Sequence, residues 1–169
     1  MLRTMTTTTA AHSVIFRTAR RADLPAIIAM LADDDISRTR SGHTTTVTDE
    51  LVAAFEEISR EPSSELLVGE HDGAIVASLQ LTYIPGLSRG GMRRAQVESV
   101  RVRSDRRGHG IGERLMKVAM DRARQRGCAI MELTTDLRRG DAHRFYQRLG
   151  FETTHAGMKR ALSPANREP

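Results

Sequence analysis

A single cysteine, Cys128, in 169 residues leaves no partner for an internal disulfide and no thiol set for a zinc centre. Tryptophan is absent, and two Tyr and four Phe are the only aromatics. The interior therefore has to be aliphatic, and few rings are available to stack on nucleobases. No stretch of about eighteen apolar residues occurs, which excludes a membrane-spanning helix. Residues 1–13 contain four consecutive threonines (Thr6 to Thr9) and no apolar segment of signal-peptide type, and read as a disordered leader. Residues 163–169, with two prolines and no periodicity, read as a flexible tail. Together these absences describe an intracellular, cytoplasmic protein.

What is present suffices for one globular domain over residues 14–162, with 39% hydrophobic and 28% charged residues. Lys and Arg (26) exceed Asp and Glu (21) by five, which points to a polyanionic partner. The periodicities alternate between strand and helix. Val14 to Thr18 reads as a strand; Asp23 and Pro25 open a helix whose Leu24, Ile27, Ile28 and Leu31 form one stripe. Thr48 caps a second helix carrying Leu51, Phe55 and Ile58, and Pro62 stops it. Asp72-Gly73 joins two strands of a tight hairpin, Glu65 to Glu70 and Ala74 to Tyr83. Pro85-Gly86 and Gly90-Gly91 mark a loop, and a strand from Arg94 to Arg103 follows. Next come a helix over Gly110 to Arg126, ended by Gly127, a buried strand from Cys128 to Thr134, and a short helix over Asp141 to Leu149. Phe151 to Leu162 reads as one or two last strands. The order predicts an α/β domain in which helices cover a mixed sheet.

The most informative segment is Arg107-Gly108-His109-Gly110-Ile111-Gly112, between a strand and a long helix. Glycines let the backbone turn sharply, and the uncapped amides of a helix start attract an anion. Glu113 stands where a dinucleotide-binding fingerprint needs its third glycine, and there is no Gly-Lys-Ser/Thr for a P-loop. The segment matches Arg/Gln-x-x-Gly-x-Gly/Ala and resembles the acetyl-coenzyme A pyrophosphate loop of the GNAT superfamily of N-acetyltransferases. A second block agrees: Ala142-His143-Arg144-Phe145-Tyr146-Gln147-Arg148-Leu149-Gly150-Phe151 resembles the later motif of that superfamily. The resemblance implies a mostly antiparallel twisted sheet of about six to seven strands flanked by about four helices. It also implies acetyl-coenzyme A as cosubstrate, with Val100, Val102, Arg107, Gly108, His109, Gly110, Ile111, Gly112 and Glu113 contacting it. Pairing of two copies through sheet edges or the last strands is common among similar proteins. Arg139 stands where many relatives carry asparagine, so no cofactor contact is transferred there. Arg138 to Tyr146, with Thr154-His155 and Lys159 to Leu162, is similar to the ends of bacterial aminoalkylphosphonate N-acetyltransferases.

Acetyl transfer to an amine needs a free-base amine, a polarised carbonyl and a proton for the departing thiolate. At neutral pH only about one alkylamine in a thousand is unprotonated, so a general base is useful. Glu98, a carboxylate in mid-strand between Val97 and Ser99, is the candidate base, acting directly or through water. The resemblance places Tyr146 near the coenzyme A sulfur, where a phenol can protonate the thiolate. A backbone amide near Val100 would meet the oxyanion. Cys128 reads as an inert core residue, and Asp141, His143 and His155 lack the spacing of a metal set. Asp33 to Asp35 would attract an ammonium group while Arg38 and Arg40 would suit an anion, so the acceptor stays open. The leading expectation is a small-molecule N-acetyltransferase; the alternatives are a peptide or protein N-acetyltransferase, and a non-catalytic coenzyme A sensor or nucleic-acid-binding regulator. Residues 92–126 carry eleven Arg or Lys against four Asp or Glu, a local +7 that suits the phosphates of coenzyme A.

Overall fold

A computed structural model describes residues 13–33, 44–160 and 162. Asp34, Asp35, Arg38 and Arg40, and all but Ser13 of the leader, lie outside the described residues, as does the tail. The described residues form two compact units, one ending at Leu133 and one beginning at Thr134.

The first unit holds strands β1 (Ile15–Thr18), β2 (Ser64–His71), β3 (Ala74–Ile84), β4 (Arg93–Val102) and β5 (Cys128–Leu133). It also holds helices α1 (Leu24–Ala32), α2 (Asp49–Arg60), the single distorted turn α3 (Ser88–Gly91) and α4 (Ile111–Gln125). The strands lie in chain order, β1 to β4 antiparallel and β5 parallel to β4. Asp72 and Gly73, at φ 51° and 75°, make the left-handed two-residue turn of the β2–β3 hairpin, as their sequence signals. Thr48 caps α2 by accepting from the Leu51 amide at 3.4 Å.

Alternation along the strands divides the sheet into two faces. Leu66 and Val68 turn one way and pack with Ile27 and Met30 of α1. Glu65 turns the other way, where Arg122 of α4 and Arg126, its C-cap, reach it at 3.0 and 3.6 Å. Leu67, Leu79, Leu81, Leu115 and Met116 are fully buried, so the core is aliphatic as the scarcity of aromatics requires.

Several expectations are corrected. The sheet has five strands among the described residues, not six to seven, and five helices are described instead of four. Residues 151–160 form no strand: 152–160 are exposed throughout, and the large apolar Met158 is 95% exposed, so the segment lacks the buried face that fixes strand register. β5 is not buried; it is the sheet edge, and its Ile130 is 41% exposed. Asp23 occupies the N-cap of α1, but its carboxylate turns away to accept from the Arg20 amide at 2.7 Å and from the Arg17 guanidinium at 2.7 and 3.0 Å. Arg17, four positions before the 3-10 turn Arg21–Asp23, out-competes the orphan helix amides, because a charged donor bonds a carboxylate more strongly.

The second unit contains one described helix, α5 (Gly140–Arg148), ended by Gly150 at φ 86°.

Candidate active site

The glycine loop begins where β4 ends. The Arg103 amide donates to the Val76 oxygen at 2.9 Å, holding the end of β4 on β3, and a 3-10 turn, Ser104–Arg106, leads out of the sheet. Gly108 and Gly110 take φ 79° and 73°, a region that costs an L-residue roughly 1–2 kcal/mol. Gly110 is the N-cap of α4 and offers no side-chain acceptor to the first turn. Among main-chain bonds, the Arg114 amide closes onto the Gly110 oxygen at 3.1 Å, so the amides of Ile111, Gly112 and Glu113 precede the helical ladder. Ile111 is buried and anchors the helix, whereas residues 107–110 are exposed. Glu113 directs its carboxylate to Lys117 at 2.7 Å, one turn along. His109 bonds through Nδ1 to the Arg107 oxygen at 2.9 Å; a carbonyl only accepts, so Nδ1 carries the proton.

Beside this loop the sheet opens. β5 pairs with β4 from Arg93 to Val97 and stops at Leu133, so among the described residues Glu98–Val102 pair only with β3. Within that stretch the register shifts: Gln80 faces Glu98 and Ser78 faces Arg101, so Ser99 and Val100 together oppose Leu79. This is a β-bulge, with Ser99 at φ 54°, and its extra residue leaves the regular ladder. Ser99 is neither Gly nor Asn, so nothing in its residue type signals the left-handed conformation. The Val100 oxygen accepts from Arg101 Nη1 at 2.9 Å, and the Val102 oxygen from Arg107 Nε at 3.1 Å.

Glu98 is exposed and carries no ion pair among the described residues. It lies in a cross-strand row with Gln80 and Leu66, on the face that α1 covers at its other end. Thr82, Gln96 and Glu132 form the neighbouring row, and Glu132 is neutralised by Arg94 at 2.7 Å. A polar floor with one uncompensated carboxylate thus adjoins the open edge of β4. Val97, one residue away, is 1% exposed on the opposite face.

The positive surplus of residues 92–126 is largely met inside the protein. Arg103 pairs with Asp105, Arg107 with Asp33, Lys117 with Glu113, Arg124 with Asp121, and Arg122 and Arg126 with Glu65. Arg114 spends its charge on the Phe16 ring at 5.3 Å and the Val14 oxygen at 3.0 Å. The expected basic surface is therefore mostly a set of ion pairs.

In the second unit, Tyr146 lies on α5, edge-on to Phe145 at 5.1 Å and Phe151 at 5.8 Å between ring centroids. Its main-chain oxygen accepts from the amides of Leu149 and Phe151 at 3.0 Å each, which fixes the turn that closes the helix. His143 donates through Nε2 to the Asp136 oxygen at 3.2 Å. Arg139 is the N-cap of α5, and its amide bonds the Asp136 oxygen at 2.9 Å. Cys128 is half-buried, and burial pushes its thiol pKa up, against a reactive role.

Three relatives bear on this arrangement. Over 67 residues the chain is 39% identical to an aminoalkylphosphonate N-acetyltransferase of Salmonella typhimurium, a stretch covering 40% of this chain and 44% of that enzyme. It therefore spans less than half of that relative's length. Over 147 residues it is 29% identical to an L-methionine sulfoximine/L-methionine sulfone acetyltransferase of Pseudomonas aeruginosa, covering 83% of this chain and 81% of the relative. A solved structure from Bacillus halodurans C-125, described as a transcriptional regulator, superposes with a TM-score of 0.84 at 41% identity, covering 89% of this chain and all of that one. The model of the acetyltransferase (GNAT) family matches residues 28–151, which takes in the glycine loop, the opened strand and α5. With the split β4 edge and the uncapped start of α4 inside that match, the chain belongs to the GNAT acetyltransferase family.

Proposed function

We propose that this protein is an N-acetyltransferase that moves the acetyl group of acetyl-coenzyme A to a primary amine of a small molecule by direct attack in a ternary complex. The observation that carries the reading is the opened edge of β4: an exposed Glu98 with no ion pair among the described residues, a bulge at Ser99–Val100, and a helix start with no side-chain cap, in sequence order along one strand and its loop. An extended acyl-pantetheine arm fits an unpaired strand edge, and a pyrophosphate fits oriented amides. Glycines at 108, 110 and 112 keep Cβ atoms away from the phosphates, while Val100 and Val102 line the arm through main-chain groups.

Glu98 takes the ammonium proton, through water where the distance requires it, and the freed nitrogen lone pair attacks the thioester carbon. A main-chain amide near Val100 stabilises the oxyanion as it forms. As the carbon–sulfur bond breaks, the Tyr146 phenol gives its proton to the thiolate, and the second proton of the attacking nitrogen leaves through solvent to the tyrosinate as the amide forms; the Tyr146 role rests on the motif around it. The acceptor is supported as a small molecule by the substrates named for the two enzyme relatives, and as an amine by the exposed Glu98 carboxylate. The same reading carries a cytoplasmic location and pairing of two copies. Among the described residues no helix is long and apolar enough to cross a membrane.

The test is release of free thiol from acetyl-coenzyme A across a panel of aminoalkylphosphonates, amino-acid analogues, polyamines, aminoglycosides and peptides. Turnover confined to small amines supports the proposal, and turnover confined to peptides transfers it to a peptide acetyltransferase. A second reading, a regulator that binds nucleic acid, is favoured by the description of the Bacillus halodurans protein. Gel-shift of duplex DNA together with an inactive panel would establish it.

A further inference from the structure

Resting on the coenzyme A reading above, we infer that the Arg107 side chain is a positioning residue that braces the glycine loop against the carboxyl end of α1 through Asp33, leaving phosphate contact to main-chain amides. The loop has little else to hold it. A Cβ placed on Gly108 or Gly110 would meet nothing within 4 Å, so side-chain packing does not fix the backbone there. What holds it is the Arg107 guanidinium: Nε donates to the Val102 oxygen at 3.1 Å, and Nη2 reaches the Asp33 oxygen at 3.5 Å and its carboxylate at 3.6 Å. One side chain thereby ties the last residue of β4, the residue that closes α1, and the first residue of the loop. His109 extends the brace by its bond to the Arg107 oxygen.

The surroundings favour a strut over a phosphate ligand. Asp33 is the C-cap of α1, with its amide on the Ala29 oxygen at 3.1 Å. That helix end is the negative pole of its dipole, which attracts a guanidinium and repels a phosphate. The Asp33 carboxylate adds a full negative charge on the same spot. A planar, forked guanidinium can satisfy both a strand oxygen and the acid, whereas a lysine point charge serves one of them. Asp33, outside the glycine motif, thus becomes a determinant of acetyl-coenzyme A affinity.

The experiment compares the wild type with Asp33→Asn, Arg107→Ala, Arg107→Lys and Asp33→Asn/Arg107→Ala in two measurements. Amide hydrogen exchange of residues 107–113 in the ligand-free protein reads the brace directly. Calorimetric titration with coenzyme A, with the KM and kcat for acetyl-coenzyme A, reads its consequence. A strut predicts faster exchange in the loop for Asp33→Asn and Arg107→Ala and two- to five-fold weaker binding for Asp33→Asn. It also predicts a kcat within two-fold at saturation for Asp33→Asn, partial retention of binding in Arg107→Lys, and a double variant no weaker than Arg107→Ala. A phosphate-ligand role predicts the opposite sign, since removing the competing acid frees Arg107 and Asp33→Asn binds coenzyme A more tightly. Tighter binding, additive losses or unchanged exchange each overturns the inference while the cofactor reading stands. A wild type that gives no coenzyme A binding overturns the cofactor reading itself, and the positioning role falls with it.

Discussion

At the scale of single residues, burial separates groups that hold the fold from groups available for chemistry. Asp23 is buried, and the hydrogen bond from Arg17 is the main reason its carboxyl is held below the ordinary range, with burial opposing. Because the folded pKa lies below the unfolded value of about 3.9, the stabilisation is complete above that value and is lost as pH falls toward the folded pKa. Asp23→Asn is expected to lower stability by about 2 kcal/mol at pH 7 and to flatten the acid-side decline that sets in as pH falls below the unfolded value, followed by urea unfolding across pH. Glu98 is the opposite case, exposed and without an ion pair among the described residues. Glu98→Gln should cut kcat about 100-fold or more while coenzyme A binding, measured by calorimetry, holds. Tyr146→Phe should lower kcat about ten-fold or more with its ring packing against Phe145 and Phe151 intact, checked by turnover beside a thermal melt. An unchanged rate in either variant removes that residue from the mechanism. Glu98 stands out in the sequence as a carboxylate in a strand and Tyr146 as a tyrosine in a motif, and the two variants test the roles proposed for them. Asp33 was legible only as one of three acids, since its partner Arg107 is 74 positions away.

At the scale of elements, α4 illustrates why one ion pair outweighs another. Glu65 is 10% exposed and accepts from the Tyr83 hydroxyl at 2.9 Å as well as pairing with Arg122 and Arg126, so it fastens the last turns of α4 to β2 and β3. Burial and the bond to Glu65 both push the Tyr83 hydroxyl well above its ordinary range. Glu65→Ala leaves two arginines and a phenol without their acceptor and should cost about 2–3 kcal/mol, toward the low end for buried pairs because the arginines are half-exposed. Arg124→Ala breaks a pair whose members are both about two-thirds exposed and should cost less than about 0.5 kcal/mol. Chemical denaturation of the two variants side by side checks the contrast. Elements governed by local rules, such as the Asp72-Gly73 hairpin, the Thr48 cap and the amphipathic α4, appear within a residue or two of their sequence limits. The burial of β5 and the strands expected within residues 151–160 do not follow the reading, because whether a strand is buried, or forms at all, depends on what lies beside it.

At the scale of the whole molecule, the net charge of +5 invites a nucleic-acid partner, yet the arginines around the glycine loop are engaged with Asp33, Glu65, Asp105 and Asp121. Basic groups already paired release few counterions on binding a duplex. The chain is therefore expected to leave mixed-sequence DNA unshifted at about 0.15 M salt; a shift that fades steeply with salt would show instead that the pairs open. The sequence by itself determined the aliphatic core, the order of the main elements and the glycine turn before α4, because these follow from composition, periodicity and local backbone preference. Only the tertiary structure decided that β4 parts from β5 after Val97, that a bulge falls at Ser99, that Glu98 stands exposed on the polar face, and that Arg107 is spent on Asp33. Each of those depends on groups distant in the chain meeting in space, and no local preference of a residue records which partner it will meet.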